Sequence, residues 1–377
     1  LSILPFNAQI LFDDLWQQTL LNQNWANHYN VFYKSKLNHS TVSTEGKIRI
    51  GYISPDFTKH PIGFLVDDIF SLHNLAEFET YCFPTKTHNT KEYINITSSF
   101  EHVIPLDKLS SKESAIKIHG CGIHILIDLT GPTSLDNYNI LAYQPCPIQC
   151  HLLGFVGSLQ APFIQYIITN KIIVPESLLH NYSETICYLP DCDIAYNPSI
   201  QPTTRTSKQD WHLPSDMFIF YAHHAPYRID LEILQAWADI LTAAPNSCLW
   251  IKATHQSLNF SIMNFFKEKN IHSNRIIFTS EPTLTASNQY LHADAFLDTF
   301  SFTSCTCNLI FLTSKIPAVS YLGPLPQNRV GSSYCYASNL IDHIPMSKDE
   351  YCEYSIELAS NSSFYRAAKQ RLEDIEK

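Results

Sequence analysis

The side chains able to do chemistry gather at the ends of apolar runs. In Ile48–Leu65, IRIGYISPDFTKHPIGFL, a β-type run (Ile48, Ile50, Tyr52, Ile53) breaks into Ser54-Pro55-Asp56 and a polar turn carrying His60-Pro61. A histidine placed there can orient a ligand or relay a proton near neutral pH. Pro61 favours a helix opening, since the N–H that proline lacks would be unpaired in a first turn anyway, and the spacing predicts helix from about Gly63. A second polar strand end is Ile123–Thr133, where Asp128 closes an apolar run ahead of Thr130-Gly131-Pro132-Thr133. The Asp128 carboxylate is expected to face a ligand cleft or to cap the strand. His124, within the same run, is expected as either a catalytic group or a satisfied strand histidine. Gly154 and Gly157 fit close backbone approach to a ligand or a tight turn.

These groups need elements that place them. Strands are predicted at Arg49–Ser54, Thr80–Phe83, His124–Leu129, Ile148–Leu153 and Tyr166–Thr169, with helices Phe64–Leu75 and Ser111–His119 between them. After the Pro/Thr/Ser-rich stretch Asn197–Lys208 the alternation restarts: strand Met217–Ala222, amphipathic helix Asp230–Ala243, then strands Cys248–Ala253, Arg275–Thr279, Ala293–Asp298 and Ala318–Leu322. Strands alternating with helices imply parallel pairing through crossovers, and polar groups at the strands' C-terminal ends are where such sheets build sites. The organisation predicted is a helical segment and linker over 1–46, one Rossmann-like domain over 47–196, a linker over 197–213 and a second such domain over 214–377. At the N-terminus, Leu11, Leu15 and Trp16 fit one helical stripe, and Trp25, Tyr29, Phe32 and Tyr33 another. Tyr351–Lys377 is helical in composition.

The chain has 377 residues, 45% of them hydrophobic, enough to bury two cores. Its net charge of −10, with no Lys/Arg-rich run, argues against nucleic acid as a partner. No apolar run reaches the ~20 residues of a membrane span. Eleven cysteines without a disulfide framework fit a reducing, cytoplasmic setting. Neither their spacings nor the 17 histidines make a metal motif. His223 and His224 are adjacent, so on a strand they point to opposite faces. The chain opens at Leu1 rather than Met, as a fragment of a longer protein would.

Several ordered segments resemble the catalytic region of the protein O-linked N-acetylglucosamine transferases. Beyond His60-Pro61 they are Ile118–Thr133, with its Asp-Leu-Thr-Gly-Pro-Thr end, then Pro145-x-Pro147-Ile148-Gln149, Leu153-Gly154-Phe155-x-Gly157, Tyr166–Thr169 and Tyr182-Ser183-Glu184. The second half is similar at Tyr227-Arg228-Ile229-Asp230, Leu234–Ala238, Pro245–Trp250, Asn274–Phe278, Ala293–Thr299 and the arginine Arg329. The similarity covers most of Lys47–Leu340. It implies an α/β GT-B-type fold, two Rossmann-like domains facing a cleft. It also implies inverting, metal-independent transfer of GlcNAc or a related hexose from UDP-GlcNAc or another UDP-hexose to Ser/Thr hydroxyls of a protein or peptide.

By this resemblance His60 lies near the acceptor, Asp128 and Thr133 line the sugar side, and Arg228 and Thr306 meet the diphosphate; Asp128 and His124 are the further catalytic candidates and Gly154 a further binding candidate. A leaving diphosphate without Mg²⁺ calls for a helix N-terminus and a basic side chain. The departures fall in the nucleotide pocket. Arg228 replaces the family's lysine, and the two differ in reach and fork geometry. Ala225 stands for a glutamine, and Thr283 and Ala286 for a lysine and a histidine. The helix start Gly-His-Thr-Thr-Gly-x-x-Asp reads Ser304–Phe311 here, with Thr306 kept and Ile310 at the ribose-binding aspartate position. The alternatives are a binding protein that has lost the nucleotide, or a relative with altered donor or acceptor. The family usually carries tetratricopeptide repeats ahead of this region, and residues 1–37 show no such period.

Overall fold

In the computed structural model, which describes residues 3–33, 36–40, 42–43, 45–133, 135–194, 207–253, 255–279, 289–340 and 344–374, the chain divides into two units, Leu1–Tyr196 and Asn197–Lys377. The predicted boundary stretch Asn197–Lys208 lies outside the described residues except for Ser207 and Lys208.

Unit 1 opens with helices α1 (Pro5–Leu11) and α2 (Leu15–Tyr33) and continues through β1 (Ile48–Ser54), α3 (Pro61–Ser71), β2 (Phe78–Pro84), α4 (Lys91–Ser98), β3 (His102–Val103), α5 (Ser111–Gly120), β4 (Ile125–Asp128), α6 (Leu135–Leu141), β5 (Ile148–Leu152), β6 (Tyr166–Thr169) and β7 (Thr185–Tyr188). The seven strands form one parallel sheet in the order β3-β2-β1-β4-β5-β6-β7. Alternation of side chains along each strand fills both faces. Ile50, Tyr52 and Ile127 pack with Phe57, Val66 and Phe70 on one face, while Ile53, Leu126 and Phe83 pack with Ala115, Ile118 and Tyr138 on the other.

The second predicted N-terminal stripe is seen as Trp25 and Tyr29, buried in that latter core, with Tyr29 edge-on to Tyr138 at 5.2 Å; the side chains of Phe32 and Tyr33 lie outside the described residues. The first stripe does not form. Leu11 ends α1 and Leu15 and Trp16 begin α2, so the three share no helix, and Leu11 and Trp16 are exposed.

Unit 2 contains β8 (Phe218–Ala222), α7 (Leu231–Ala243), β9 (Ser247–Lys252), α8 (Gln256–Glu268), β10 (Ile276–Thr279), β11 (Ala295–Leu297), α9 (Cys305–Thr313), β12 (Ala318–Val319), α10 (Val330–Ala337), α11 (Lys348–Ser360) and α12 (Ser362–Glu373). Its parallel sheet runs β10-β9-β8-β11-β12. Phe220, Leu249 and Ile251 pack with Trp237, Ile240 and Tyr351, and Tyr221 stacks on Trp250 at 4.4 Å and meets Phe311 edge-on. The closing helical stretch is two helices, because Asn361 accepts hydrogen bonds from the Ser363 and Phe364 N–H groups and so restarts the helix as α12.

Both sheets reverse their winding once, between β1 and β4 in unit 1 and between β8 and β11 in unit 2. Ligands of open α/β sheets bind beyond the strand C-termini at such a reversal. The chain thus carries two positions of the same kind, one in each unit.

Candidate functional site

At the unit 1 reversal, β1 ends in Ser54 and the loop 55–60 leads into α3. His60 is the N-cap of α3, its Nδ1 accepting from the Ile62 N–H at 3.3 Å and lying 3.7 Å from Asp56 Oδ2, with 44% of its side chain exposed. Asp56 is more buried, and desolvation raises its carboxyl above the usual range while the nearby His60 and His88 pull the other way. His88 is held by Nε2 against the Pro55 carbonyl at 2.9 Å, and Thr58 bonds Thr90 at 3.1 Å. Past β4, Thr133 is exposed, its hydroxyl donating to the Thr130 carbonyl at 2.7 Å. His60 and Thr133 therefore follow neighbouring strands at the same edge of the sheet.

Three other predicted residues are placed differently. Asp128 is fully buried, and its carboxylate accepts from the N–H groups of Thr130 (3.2 Å) and Gly131 (2.7 Å) and from Asn137 Nδ2 (3.0 Å), with His151 Nδ1 at 3.1 Å. It does not face a ligand, because the following loop folds back over it. His124 stands just before β4, four residues from Asp128, hence about 13 Å along the strand from the reversal. There its Nδ1 accepts from the Arg49 N–H at 2.9 Å and its Nε2 meets the Ser43 carbonyl, which ties the starts of β1 and β4 together. Gly154 has its open side filled by backbone: a Cβ would lie 2.4 Å from the Leu129 oxygen and 2.5 Å from that of Thr130. Chain packing alone requires glycine there.

At the unit 2 reversal, β8 runs into His223, His224 and a short turn carrying Arg228, while β11 leads to Asp298 and the start of α9. The Arg228 guanidinium lies 4.8 Å from the Phe302 ring centre and 5.6 Å from that of Tyr227. Ser304 caps α9 by accepting from the Cys307 N–H, and half-buried Thr306 sits in the first turn. Burial pushes the Cys307 thiol up to about 11 and the Asp298 carboxyl up to about 6, and Arg228 opposes both shifts. Arg228 and Thr306 are thus brought to one edge of one unit. Burial also lowers His223 and His224 to about 3, so both are neutral at pH 7. His223 Nδ1 pairs with the Tyr221 hydroxyl at 3.1 Å and His224 Nε2 donates to the Leu297 carbonyl at 2.7 Å. Thr283 and Ala286 lie outside the described residues. Ile310 is buried in α9.

The sequence reading passed over Asp56, His151 and the Asp298–Asn308 pair. The signal was available in outline: each strand past a reversal ends in aspartate, Ile127-Asp128 and Leu297-Asp298, with an asparagine following at Asn137 and Asn308. Among the described residues, no three His, Cys, Asp or Glu side chains form a metal-holding group, none of the eleven cysteines is in a disulfide, and no helix is long and apolar enough to cross a membrane.

The family model for glycosyl transferase family 41 matches residues 24–196 and 197–376. The chain is 30% identical to the probable UDP-N-acetylglucosamine–peptide N-acetylglucosaminyltransferase SEC of Arabidopsis thaliana over 98% of its own length and 40% of that protein's. It is 25% identical to the SPINDLY protein of the same plant, similarly named, over 88% of its length and 37% of that protein's. It therefore spans about two fifths of these curated relatives. Among solved structures, a point mutant of the Thermobaculum terrenum O-GlcNAc transferase superimposes with a TM-score of 0.89 at 20% identity, over 98% of this chain and 71% of the other. A GT-B-type α/β fold follows from that likeness and the two parallel sheets, and the chain belongs to glycosyl transferase family 41.

Proposed function

We propose that this chain is the catalytic part of a protein O-glycosyltransferase, moving GlcNAc or a related hexose from a UDP-sugar to a Ser/Thr hydroxyl with inversion and without a metal. The observation that carries this reading is His60, exposed on the retained Ser54–Gly63 loop at the unit 1 reversal of a family 41 chain. In an inverting displacement the hydroxyl attacks the anomeric carbon as the bond to UDP breaks, and the hydroxyl proton leaves to a base or to water. His60 orients the acceptor in this scheme, and Thr133 lines the sugar side. Arg228 and the first turn of α9, with Thr306, meet the charge that develops on the diphosphate, as a helix N-terminus and one cation can. Asp128, His124 and Gly154 act at one remove, by holding the loops and strand starts. Eleven cysteines with no disulfide among them fit work in the reducing cytoplasm.

The test is calorimetric titration of UDP, with Arg228→Ala as control. Binding in the micromolar range, roughly −8 kcal/mol, lost in the variant, supports the donor site. Silence at millimolar UDP in folded protein favours the second reading, a binding protein without nucleotide, which the buried Ile310 at the family's ribose-binding position supports.

A further inference from the structure

We propose that Asp128 and Asp298 are one positioning device used twice: in each unit a buried aspartate past the reversal, joined to an asparagine of the following helix, fixes the loop that carries the site. The two sets correspond group for group. Asp128 receives the Thr130 and Gly131 N–H groups, Asn137 from α6 and His151 from β5. Asp298 receives the Thr299 N–H (2.9 Å), the Ser304 N–H (2.9 and 3.2 Å), Asn308 Nδ2 from α9 (2.6 Å) and the Ser320 hydroxyl beyond β12 (2.9 Å). In each case the partners are two main-chain donors of the next loop, an amide from the start of the next helix, and a side chain from the end of the adjoining strand. A glycine closes each set. A Cβ on Gly131 would lie 2.8 Å from the His151 ring, and one on Gly331 would lie 2.4 Å from Asp298 Oδ2 and 2.6 Å from Asn308 Nδ2.

Such a group is more than a cap. A carboxylate out of water, with its oxygens taken up by several donors, has one low-energy arrangement, so the backbone it binds is held to a single geometry. In unit 2 that backbone is the N-cap of α9; in unit 1 it is the loop leading to Thr133. Neither aspartate reaches solvent, so neither touches a substrate: each acts through what it holds.

The experiment measures amide hydrogen exchange and ligand affinity on the whole chain. Asn308→Ala removes the amide arm in unit 2, and faster exchange confined to residues 303–308 is expected. Asn137→Ala is expected to do the same at residues 130–133. Unchanged exchange, or acceleration spread over the whole unit, overturns the proposal. The nucleotide arm rests on the donor-site reading above. UDP affinity should fall about tenfold in Asn308→Ala while uridine affinity, followed by ligand-observed NMR, stays within about twofold, because only the diphosphate meets the start of α9. Equal losses for both ligands would mark general loosening and overturn the positioning role. If the unaltered chain binds no UDP, the donor-site reading fails and the exchange result alone decides the device. If Asn308→Ala does not fold, Ser320→Ala, which removes one hydroxyl donor, is read in the same way with an expected loss of about threefold.

Discussion

The two reversals share a frame and differ in their contact with water. In unit 1 the groups beyond β1 are wet: His60 is 44% exposed, Asp56 beside it 23%, and Thr133 is at the surface. In unit 2 the groups beyond β8 and β11 are dry: His223, His224, Ser304 and Asn308 are buried, with half-buried Arg228 and Lys252 as the cations acting on them. The first setting suits proton exchange with an incoming hydroxyl. The second suits fixed neutral dipoles and positive charge, the kind of field a departing diphosphate needs. One architecture presents two settings, set by how far each loop folds back over its strand ends.

The largest expected effect tests the packing behind each reversal. Gly154→Ala forces a Cβ against the carbonyls of Leu129 and Thr130, backbone atoms fixed by the Asp128 set. Its cost is about 3 kcal/mol, read by urea unfolding. Gly331→Ala meets side-chain atoms of Ser320, Asp298 and Asn308 instead, and in α10 it regains about 1 kcal/mol of helix propensity. Because those atoms are buried and held by the Asp298 set, only the propensity gain should make it cost less, by about 1 kcal/mol. Equal costs would mean that the two sets are not built with the same rigidity.

Acid should separate the units next. His223 and His224 have folded values near 3 against an ordinary 6.5, so the unfolded chain takes up their protons first. The stability from keeping them neutral is complete above pH 6.5 and is lost progressively as pH falls toward 3. Asp298 works the other way: at about 6 against 3.8, its folded form takes the proton first, which returns stability as pH falls from about 6 to 3.8. Asp294 is raised by burial as well, and the two histidines still outweigh the two carboxyls, for a net loss of up to about 2 kcal/mol between pH 7 and pH 5. In unit 1 the raised carboxyls of Asp56 and Glu184 gain stability on acidification, which offsets losses at the lowered His39, Glu79 and Glu113. Unit 2, with Trp211, Trp237 and Trp250, should therefore loosen at higher pH than unit 1, with Trp16 and Trp25. Hydrogen exchange resolved by unit would show it, and simultaneous loosening would contradict it.

Much of this frame was legible in the sequence, because β-branched runs bounded by Pro, Gly and Asp mark strands whatever their surroundings. β3, two residues long, is too short to show a period and was drawn out only by pairing with its neighbour, whereas the strand predicted at Ala318–Leu322 forms over Ala318–Val319 alone. The burial of Asp128 was not legible. Ile-Asp-Leu-Thr reads the same whether its carboxylate meets a ligand or the chain's own amides, and two of its partners, Asn137 and His151, are set by tertiary closure. His124 was legible in part: it begins its strand, and a parallel sheet puts strand starts at the edge opposite its sites. The rebuilt start of α9 was readable as a departure from the family pattern, but not its dryness, which depends on β8, β11 and α10 packing around it.

The smallest stability effect belongs to His60→Ala, and it gives the contrast its sharpest form. The side chain is nearly half exposed, its one cap contact is 3.3 Å long, and its approach to Asp56 is a solvent-screened 3.7 Å. Losing a cap of that length and an exposed pair should cost under about 1 kcal/mol. Transfer to a peptide, measured in an active preparation of the same variant, should nevertheless fall by about a hundredfold or more, the scale on which a positioned imidazole acts. A buried residue would show the reverse pattern, with folding lost before transfer could be measured. If His60→Ala unfolds several kcal/mol more easily, the histidine is a structural cap and the wet reversal is no acceptor site. If it folds normally and transfers at the full rate, the site lies elsewhere in the chain.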